Sequence, residues 1–470
     1  MRKILILLLI LHPTFFISVN AAIKLPAIFG DFMILQQKTE TAIWGKATPN
    51  KNVEIIPSWD NKLYSGMADN NGAWKIKIST PEAGGPYTIT ISDGSPIILQ
   101  EVLIGEVWVC SGQSNMQMSM LGFINQPVTG ANEAIATSSN ESIRLFTVQQ
   151  EKSLYPEDDF KGTWKKCIPE HVVEFSATAY FYGKMLHQIL GVPVGLICSS
   201  WGGTRIEPWI GEDGFKNFDW IKLPDKTRKD DYSTDTPSVL FNAMISPMVG
   251  FSIAGCIWYQ GESNIKEPER YGKLLQSLVE NWRNKWGTGD FPFYYVQIAP
   301  FDYDKSGINS AFLREVQFKM QDEIPNVGMA CILDSGEKDC IHPSNKKLVG
   351  DRLAYLALNK TYGKIGIEYS GPVLKDMFID GPVVKLTFDH APKGLTSYGK
   401  ELVNFKISGD NKRFFPAKAT ITREGVTLFC PQVEKPLAVR YAFDNFVEGE
   451  LFNTLGLPAS SFRTDNWDIK

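Results

Sequence analysis

Five apolar, strand-like runs that alternate with helix-like stretches constrain the fold of this chain most strongly. The runs lack polar alternation, as expected of strands buried on both faces, and they occupy residues 106–110, 194–198, 254–259, 293–297 and 328–333. Helix candidates fall at about 175–190, 238–249, 266–285, 310–323 and 345–359. Regular alternation of this kind predicts an α/β domain with a parallel sheet covered by helices on both faces.

Short strands of alternating polarity flank this region on both sides. Between residues 22 and 100 such strands are separated by turn residues, for example at 69–72, and they predict an N-terminal β-sandwich module. The same pattern returns after residue 365 and predicts a C-terminal β module. We therefore divide the chain into 22–100, a central domain at 101–365, and 366–470.

The first 21 residues are organised like a secretory signal peptide. Arg2 and Lys3 precede an apolar run, and small residues surround a cleavage position near Ala21. The apolar run is interrupted by a His-Pro pair and is shorter than the roughly 20 residues that a membrane span requires. We expect residues 1–21 to be removed and the mature protein, without a membrane span, to be secreted or periplasmic.

Charge and cysteine usage narrow the classes of partner. A formal net charge of −4 without a basic run disfavours nucleic acid and anionic membrane surfaces as partners. The seven cysteines include no C-x-x-C spacing, so no zinc or redox motif is present in the sequence. No cluster of histidines and carboxylates has metal-ligand spacing, so we expect neither a metal nor a cofactor. The sequence leaves the oligomeric state open.

Four polar clusters come directly after predicted strands. They occupy residues 111–115, 199–204, 260–264 and 334–343. Because ligands of open parallel sheets bind outside the carboxyl ends of the strands, we expect the four clusters to meet at one site.

A serine, a histidine and an aspartate in these clusters match the requirements of acyl transfer, which needs a nucleophile, a base and a group that orients the base. Ser114 lies at a strand-to-helix junction, where a serine could instead cap the helix. His342 is a histidine in a strand-end loop, unlike the other three of the mature chain: His171, His187 and His390. Asp339 could orient His342, although both could also belong to a solvated loop.

Three further positions could supply donors for an oxyanion. Gly203 could offer its backbone N–H because no Cβ obstructs the approach, or it could simply form a tight turn. Gln260 and Asn264 could each donate a side-chain N–H to the same oxyanion. Between them, Glu262 could orient its neighbours by hydrogen bonding or act as an acid of the glycosidase type.

Side chains beside these motifs could line a sugar pocket. They are Trp201, Arg205, Trp209 and Tyr259, together with Glu262. Packing at the mouth of the sheet is the alternative role of the aromatic residues. The guanidinium of Arg205 could pair bidentately with the carboxylate of a sialic acid.

Taken together, the segments 112–116, 201–204, 258–264 and 339–343 resemble the sialate O-acetylesterase family. This family is the branch of the SGNH hydrolases that acts on acetylated carbohydrates. The resemblance implies a three-layer α/β/α domain, with Ser114 as the nucleophile, His342 as the base and Asp339 as its partner.

The same resemblance implies an oxyanion hole and a substrate class. Backbone N–H groups of Ser114 and Gly203 would form the hole, with Gln260 favoured over Asn264 as the third donor. The implied reaction removes O-acetyl groups from carbohydrates, above all from sialic acids, through an acyl-enzyme. An esterase for acetylxylan or another polysaccharide, a glycoside hydrolase built on Glu262, and a non-catalytic carbohydrate-binding protein are the alternatives.

Overall fold

The computed structural model describes residues 23–227, 232–303 and 307–467. The predicted signal peptide at 1–21 lies outside the described residues. In the described ranges, no helix combines the length and apolar character that crossing a membrane requires.

Strands and helices follow one another along the chain with these bounds. The strands are β1 Ile34–Gln36, β2 Glu40–Lys46, β3 Asn52–Pro57, β4 Tyr64–Met67, β5 Ala73–Ser79, β6 Gly84–Ser92, β7 Pro96–Gly112, β8 Asn140–Thr147, β9 Trp164–Cys167, β10 Val194–Ser200, β11 Gly255–Tyr259, β12 Phe293–Val296, β13 Val327–Ala330, β14 Val373–Asp380, β15 Val383–Asp389, β16 Leu395–Thr396, β17 Phe405–Ser408, β18 Phe415–Pro416, β19 Lys418–Ile421, β20 Val426–Phe429, β21 Ala438–Tyr441, β22 Phe452–Asn453 and β23 Phe462–Arg463. The α-helices are α1 Ser114–Gln117, α2 Ala131–Ala136, α3 Pro169–Val172, α4 Ala177–Leu190, α5 Pro268–Trp286, α6 Ala311–Glu323 and α7 Lys346–Leu356.

A mixed sheet forms the centre of the molecule, in the order β13-β12-β11-β7-β10-β8-β9. Neighbouring strands pair in parallel from β13 to β8, and β9 pairs antiparallel with β8 at the edge. The five apolar runs of the sequence are β7, β10, β11, β12 and β13, so the predicted α/β class is confirmed. The sequence pattern missed β8, because polar residues open that strand and the buried Arg144 interrupts its apolar run.

Helices cover both faces of this sheet. In β7, Val107 and Val109 belong to the same buried cluster as residues of α5 and α6. Trp108 and Cys110, which point to the opposite face, belong to a second cluster with residues of α4 and α7. Because successive side chains of a strand alternate between faces, a single apolar strand fills two separate cores.

Strand β7 also joins the central sheet to the N-terminal strands. Its first half pairs with β6 and β1, and its second half pairs with β10 and β11. The predicted boundary between residues 100 and 101 therefore falls inside one 17-residue strand. Strands β2 and β5 form a separate two-stranded sheet beside it.

The C-terminal strands build two four-stranded antiparallel sheets, in the orders β14-β15-β20-β19 and β18-β17-β21-β23, and a two-stranded sheet of β16 and β22. A buried arginine of α6, Arg314, fastens these strands to the central domain. Its guanidinium donates hydrogen bonds to the carbonyl oxygens of Ala442, Asp444 and Asn445 and to the hydroxyl of Ser461. The C-terminal strands are thus held against the sheet by a residue of a helix that covers it.

Candidate active site

Ser114 lies at the point where β7 turns into α1. Gly112 ends the strand with φ at +135°, and a Cβ there would lie 2.1 Å from the carbonyl oxygen of Tyr259. Only glycine therefore allows the chain to turn this closely beneath β11. The turn leaves Ser114 partly exposed, with its Oγ 2.7 Å from Nε2 of His342.

The second ring nitrogen of His342 has an uncharged partner. Nδ1 lies 2.6 Å from Oε1 of Gln126. Because a carboxamide oxygen can only accept, Nδ1 carries the proton and donates it to Gln126. Nε2 is then the acceptor for the hydroxyl of Ser114, which is the tautomer that a general base requires.

A tight turn after α1 supplies Gln126. The backbones of Phe123 and Gln126 exchange two hydrogen bonds of 3.0 Å, and Asn125 between them adopts a positive φ of 59°. The ring of Phe123 packs edge-on against the imidazole of His342, with 5.1 Å between centroids. One turn therefore both orients the imidazole and covers one of its sides.

Asp339 does not contact the imidazole in this structure, contrary to the sequence expectation. Glu337 and Cys340 form an isolated β-bridge, so Asp339 lies at the tip of the turn between them. The tip is exposed to solvent, and the nitrogen that Asp339 was expected to engage is occupied by Gln126. The structure thus brings together Ser114 and His342 but not Asp339.

The electrostatic environment keeps His342 neutral. Burial, together with the positive charge of Lys346, lowers the pKa of His342 to about 4. The imidazole is therefore unprotonated at neutral pH and able to accept a proton from Ser114.

Two backbone donors beside Ser114 have no acceptor among the described residues: its own N–H and that of Gly203. The preceding N–H, of Gly202, donates to Oε1 of Gln117 at 2.6 Å, which fixes the loop after β10. Gly203 has φ at +76°, and a Cβ there would meet no atom within 4 Å. Both free N–H groups are available to an oxyanion.

The carboxamide nitrogens of Gln260 and Asn264, which the sequence suggested as oxyanion donors, have acceptors within the protein. Both are fully buried, and the carboxamide nitrogen of Gln260 donates to Asn264 Oδ1 at 2.8 Å and to the carbonyl oxygen of Thr204 at 3.3 Å. Asn264 in turn donates to Glu207 and accepts from the backbone N–H of Ile206. Their donors are consumed in bracing the loop that carries Gly203.

Two of the aromatic residues expected at a pocket lie in the core instead. Trp209 belongs to a 3₁₀ turn that directs its ring inward, where it packs against Trp258 and donates to Thr204. Tyr259 ends β11 and is fully buried in the cluster on the α4 and α7 face. Trp201 is the one of the predicted aromatic residues that remains partly exposed.

Arg205 and Glu262 are also engaged within the protein. The guanidinium of Arg205 forms ion pairs with Glu207 at 2.7 Å and Glu267 at 2.6 Å, so its charge is already compensated. Glu262 is buried and accepts from the carboxamide of Asn115 at 2.6 Å. The burial of Glu262 removes the structural basis for a glycosidase acid at this position, whereas the side chain of Arg205 remains partly exposed.

Comparison with known proteins identifies the family. The sequence profile described as carbohydrate esterase, sialic acid-specific acetylesterase matches residues 104–359, more than half of the chain. The chain belongs to this family of carbohydrate esterases. It is therefore a carboxylic ester hydrolase that removes acetyl groups from carbohydrates.

Relatives of this esterase family match both the sequence and the fold. Human sialate O-acetylesterase is 28% identical over 403 residues, covering 76% of this chain and 74% of the human protein. The mouse protein of the same name is 26% identical over 436 residues, covering 79% of this chain and 80% of the mouse protein. The crystal structure of a carbohydrate acetylesterase from Xanthomonas citri superposes with a TM-score of 0.86 and 33% identity, covering 95% of this chain and 100% of that one.

Several residues of this esterase site escaped the sequence analysis. Gln126 belongs to no motif, and Lys346 looks like an ordinary surface lysine at the start of a helix. Asn115 directly follows Ser114, and of these three residues it alone belongs to one of the polar clusters after the strands. Gln113 directly precedes Ser114. Its Oε1 accepts hydrogen bonds from the backbone N–H groups of Gly261 and Ser263, and its carboxamide nitrogen has no acceptor in the described part of the chain.

Proposed function

We propose that this protein is a secreted serine esterase that removes O-acetyl groups from sialic acids, with Ser114 as nucleophile and His342 as general base. The observation that carries the proposal is the 2.7 Å hydrogen bond between Ser114 Oγ and His342 Nε2. Core packing alone gives no reason for a partly exposed hydroxyl to be paired with a neutral imidazole in this tautomer.

The proposed reaction has two steps. Ser114 Oγ attacks the acetyl carbonyl while His342 Nε2 takes the hydroxyl proton, and the backbone N–H groups of Ser114 and Gly203 stabilise the oxyanion. The bond to the sugar oxygen breaks, and the sugar leaves as an alcohol with the proton from His342. Water, deprotonated by the same imidazole, then attacks the acetyl-serine. The bond between the acyl carbon and Ser114 Oγ breaks, the imidazolium returns the proton to Oγ, and acetate leaves. The hydrogen bond from His342 Nδ1 to Gln126 holds the imidazole in the same orientation during both steps.

The proposal extends to the finer architecture of the chain. We assign residues 101–365 to a catalytic domain of the SGNH three-layer type, supported by the two helical layers around the central sheet. The modules at 22–100 and 366–470 are proposed to brace this domain. Secretion rests on the signal-peptide pattern of residues 1–21.

Sialic acid is the favoured substrate because the family profile and the mammalian relatives carry its name. A neutral acetylated polysaccharide, such as acetylxylan, is the second candidate. It is favoured by the ion pairs of Arg205, which leave this guanidinium no unpaired charge for a sialate carboxylate.

Acetate release from a substrate panel tests this choice. The wild-type enzyme is incubated with O-acetylated sialic acids, acetylated xylan and 4-nitrophenyl acetate at equal ester concentration, with an enzyme-free blank. We expect the highest kcat/KM on the sialic acids. A higher kcat/KM on xylan would contradict the sialate assignment and leave the acyl chemistry standing, whereas no acetate from any substrate would contradict both.

A further inference from the structure

Asn115 connects the backbone segments that carry the two reacting residues. It follows Ser114 directly and is fully buried. Its Nδ2 donates to the carbonyl oxygen of Ile341 at 3.1 Å, the residue before His342. The carboxamide thus ties the nucleophile's helix to the loop of the base.

A buried lysine holds this carboxamide from its other side. Lys346, the first residue of α7, has no exposed surface, and its Nζ donates to Oδ1 of Asn115 at 2.5 Å. The same ammonium lies 5.6 Å from the centroid of the Tyr259 ring. Glu262 does not reach it directly but accepts from the nitrogen of the same carboxamide. Asn115 therefore links Lys346 to Glu262 through two hydrogen bonds.

An ammonium in this position is costly. Burying a charge without direct pairing to an opposite charge destabilises a protein, and a lysine that merely filled space could be replaced by an apolar side chain. Burial lowers the pKa of Lys346 to about 7, although the nearby carboxylates of Glu262 and Glu337 oppose the shift. The charge in turn helps burial to lower the pKa of His342.

Resting on the proposed function, we propose that Lys346 is a positioning residue of the esterase. Its ammonium fixes the Asn115 carboxamide, which in turn ties the helix of Ser114 to the loop of His342. Lys346 touches neither the substrate nor the reacting atoms in this scheme.

Two consequences separate this role from a structural one. Without the ammonium, Ser114 and His342 lose their common anchor, so kcat falls while KM stays close to the wild-type value. Without the positive charge, the pKa of His342 rises, because protonation of the imidazole is no longer opposed. Since the base must be neutral, the acid limb of the pH profile moves to higher pH.

The experiment compares three variants of the full-length enzyme by acetate release between pH 4 and 9, with Tm measured for each. Lys346→Met removes the charge and the donor, and Lys346→Arg keeps both. Lys347→Met is the matched control, since Lys347 lies on the same helix with an exposed side chain paired with Asp351. Ser114→Ala is assayed alongside, so that failure of the proposed nucleophile is recognised separately.

We expect Lys346→Met to lower kcat by about 10- to 100-fold and to move the acid limb upward. Lys346→Arg should recover part of kcat and the wild-type acid limb, and Lys347→Met should behave as wild type. A folded Lys346→Met enzyme with wild-type kcat would overturn the proposal. A loss of kcat accompanied by a lower Tm and an unmoved acid limb would also overturn it, because that result indicates a purely structural lysine.

Discussion

The imidazole of His342 is held between two uncharged groups, the hydroxyl of Ser114 and the carboxamide of Gln126. A neutral acceptor at Nδ1 fixes the tautomer but adds no negative charge to stabilise an imidazolium. The low pKa of His342 agrees with this arrangement, since burial and Lys346 both disfavour the protonated ring. Orientation is therefore the main contribution of Gln126.

Replacing Gln126 by leucine should lower kcat by about 100-fold, since the loss of the acceptor frees the ring to rotate away from Ser114. Gln126→Glu should restore orientation and, by placing a negative charge beside the ring, raise the pKa of His342 and move the acid limb to higher pH. Steady-state acetate release as a function of pH measures both. Asp339→Asn serves as the control and should retain most activity; a larger loss from Asp339→Asn than from Gln126→Leu would show that the exposed aspartate closes onto the ring during catalysis.

The meeting of Ser114 and His342 could be predicted because each lies in a polar segment that follows a strand of the central sheet. Gln126 could not be predicted, since 216 positions separate it from His342 and a glutamine in a polar turn is common. The sequence also did not reveal that Trp209 and Tyr259 are buried. The sequence shows that an aromatic residue adjoins a motif, but the direction of its ring depends on the local turn and on strand alternation.

At the scale of elements, the predicted helices at 266–285 and 310–323 match α5 and α6 within two residues. The expected helix at 238–249 is instead a π-turn at Phe241–Ile245 followed by a 3₁₀ turn at Ser246–Met248. Pro247 explains the difference, because a proline within a helix removes a backbone donor and clashes with the preceding turn. The spacing of apolar residues alone does not reveal such an interruption of a helix.

The loop after β10 offers a matched test of the oxyanion site. Gly203 and Gly130 have φ values of +76° and +74°, and a Cβ at either would meet no atom within 4 Å. Alanine should therefore cost each a similar backbone strain, about 1 kcal/mol. Thermal or urea unfolding should show equal destabilisation, whereas kcat/KM should fall about 10-fold or more for Gly203→Ala alone. Equal activity of the two variants would place the oxyanion donor elsewhere.

At the scale of the whole molecule, β7 explains why the N-terminal boundary was predicted inside a strand. Its residues alternate between exposed and buried up to about residue 101 and are buried without interruption from Val102 onward. The change of pattern in the sequence thus marks a change of surroundings along one strand, from the edge of the molecule to its centre. The division of the chain into modules remains a prediction, and β7 runs without a break from the first module into the second.

The C-terminal strands are anchored to the central domain through helix α6. Arg314 projects from α6, while its acceptors belong to the segment after β21 and to Ser461. Five strands of the central sheet and the polar clusters that follow them could be derived from pattern alone. The contacts between modules could not, because they join groups far apart in the sequence, such as Arg463 with Glu315 and Gln297 with Ser460.

The central claim is that Ser114 forms the acyl-enzyme, and the most direct measurement combines one variant with one covalent probe. Wild type and Ser114→Ala are treated with a serine-directed phosphonate, mapped by peptide mass spectrometry, and assayed for acetate release from an O-acetylated sugar. We predict a single label on Ser114, complete inactivation on labelling, and loss of acetate release in Ser114→Ala with an unchanged Tm. Acetate release by Ser114→Ala at the wild-type rate, or a label on another residue, would contradict the account.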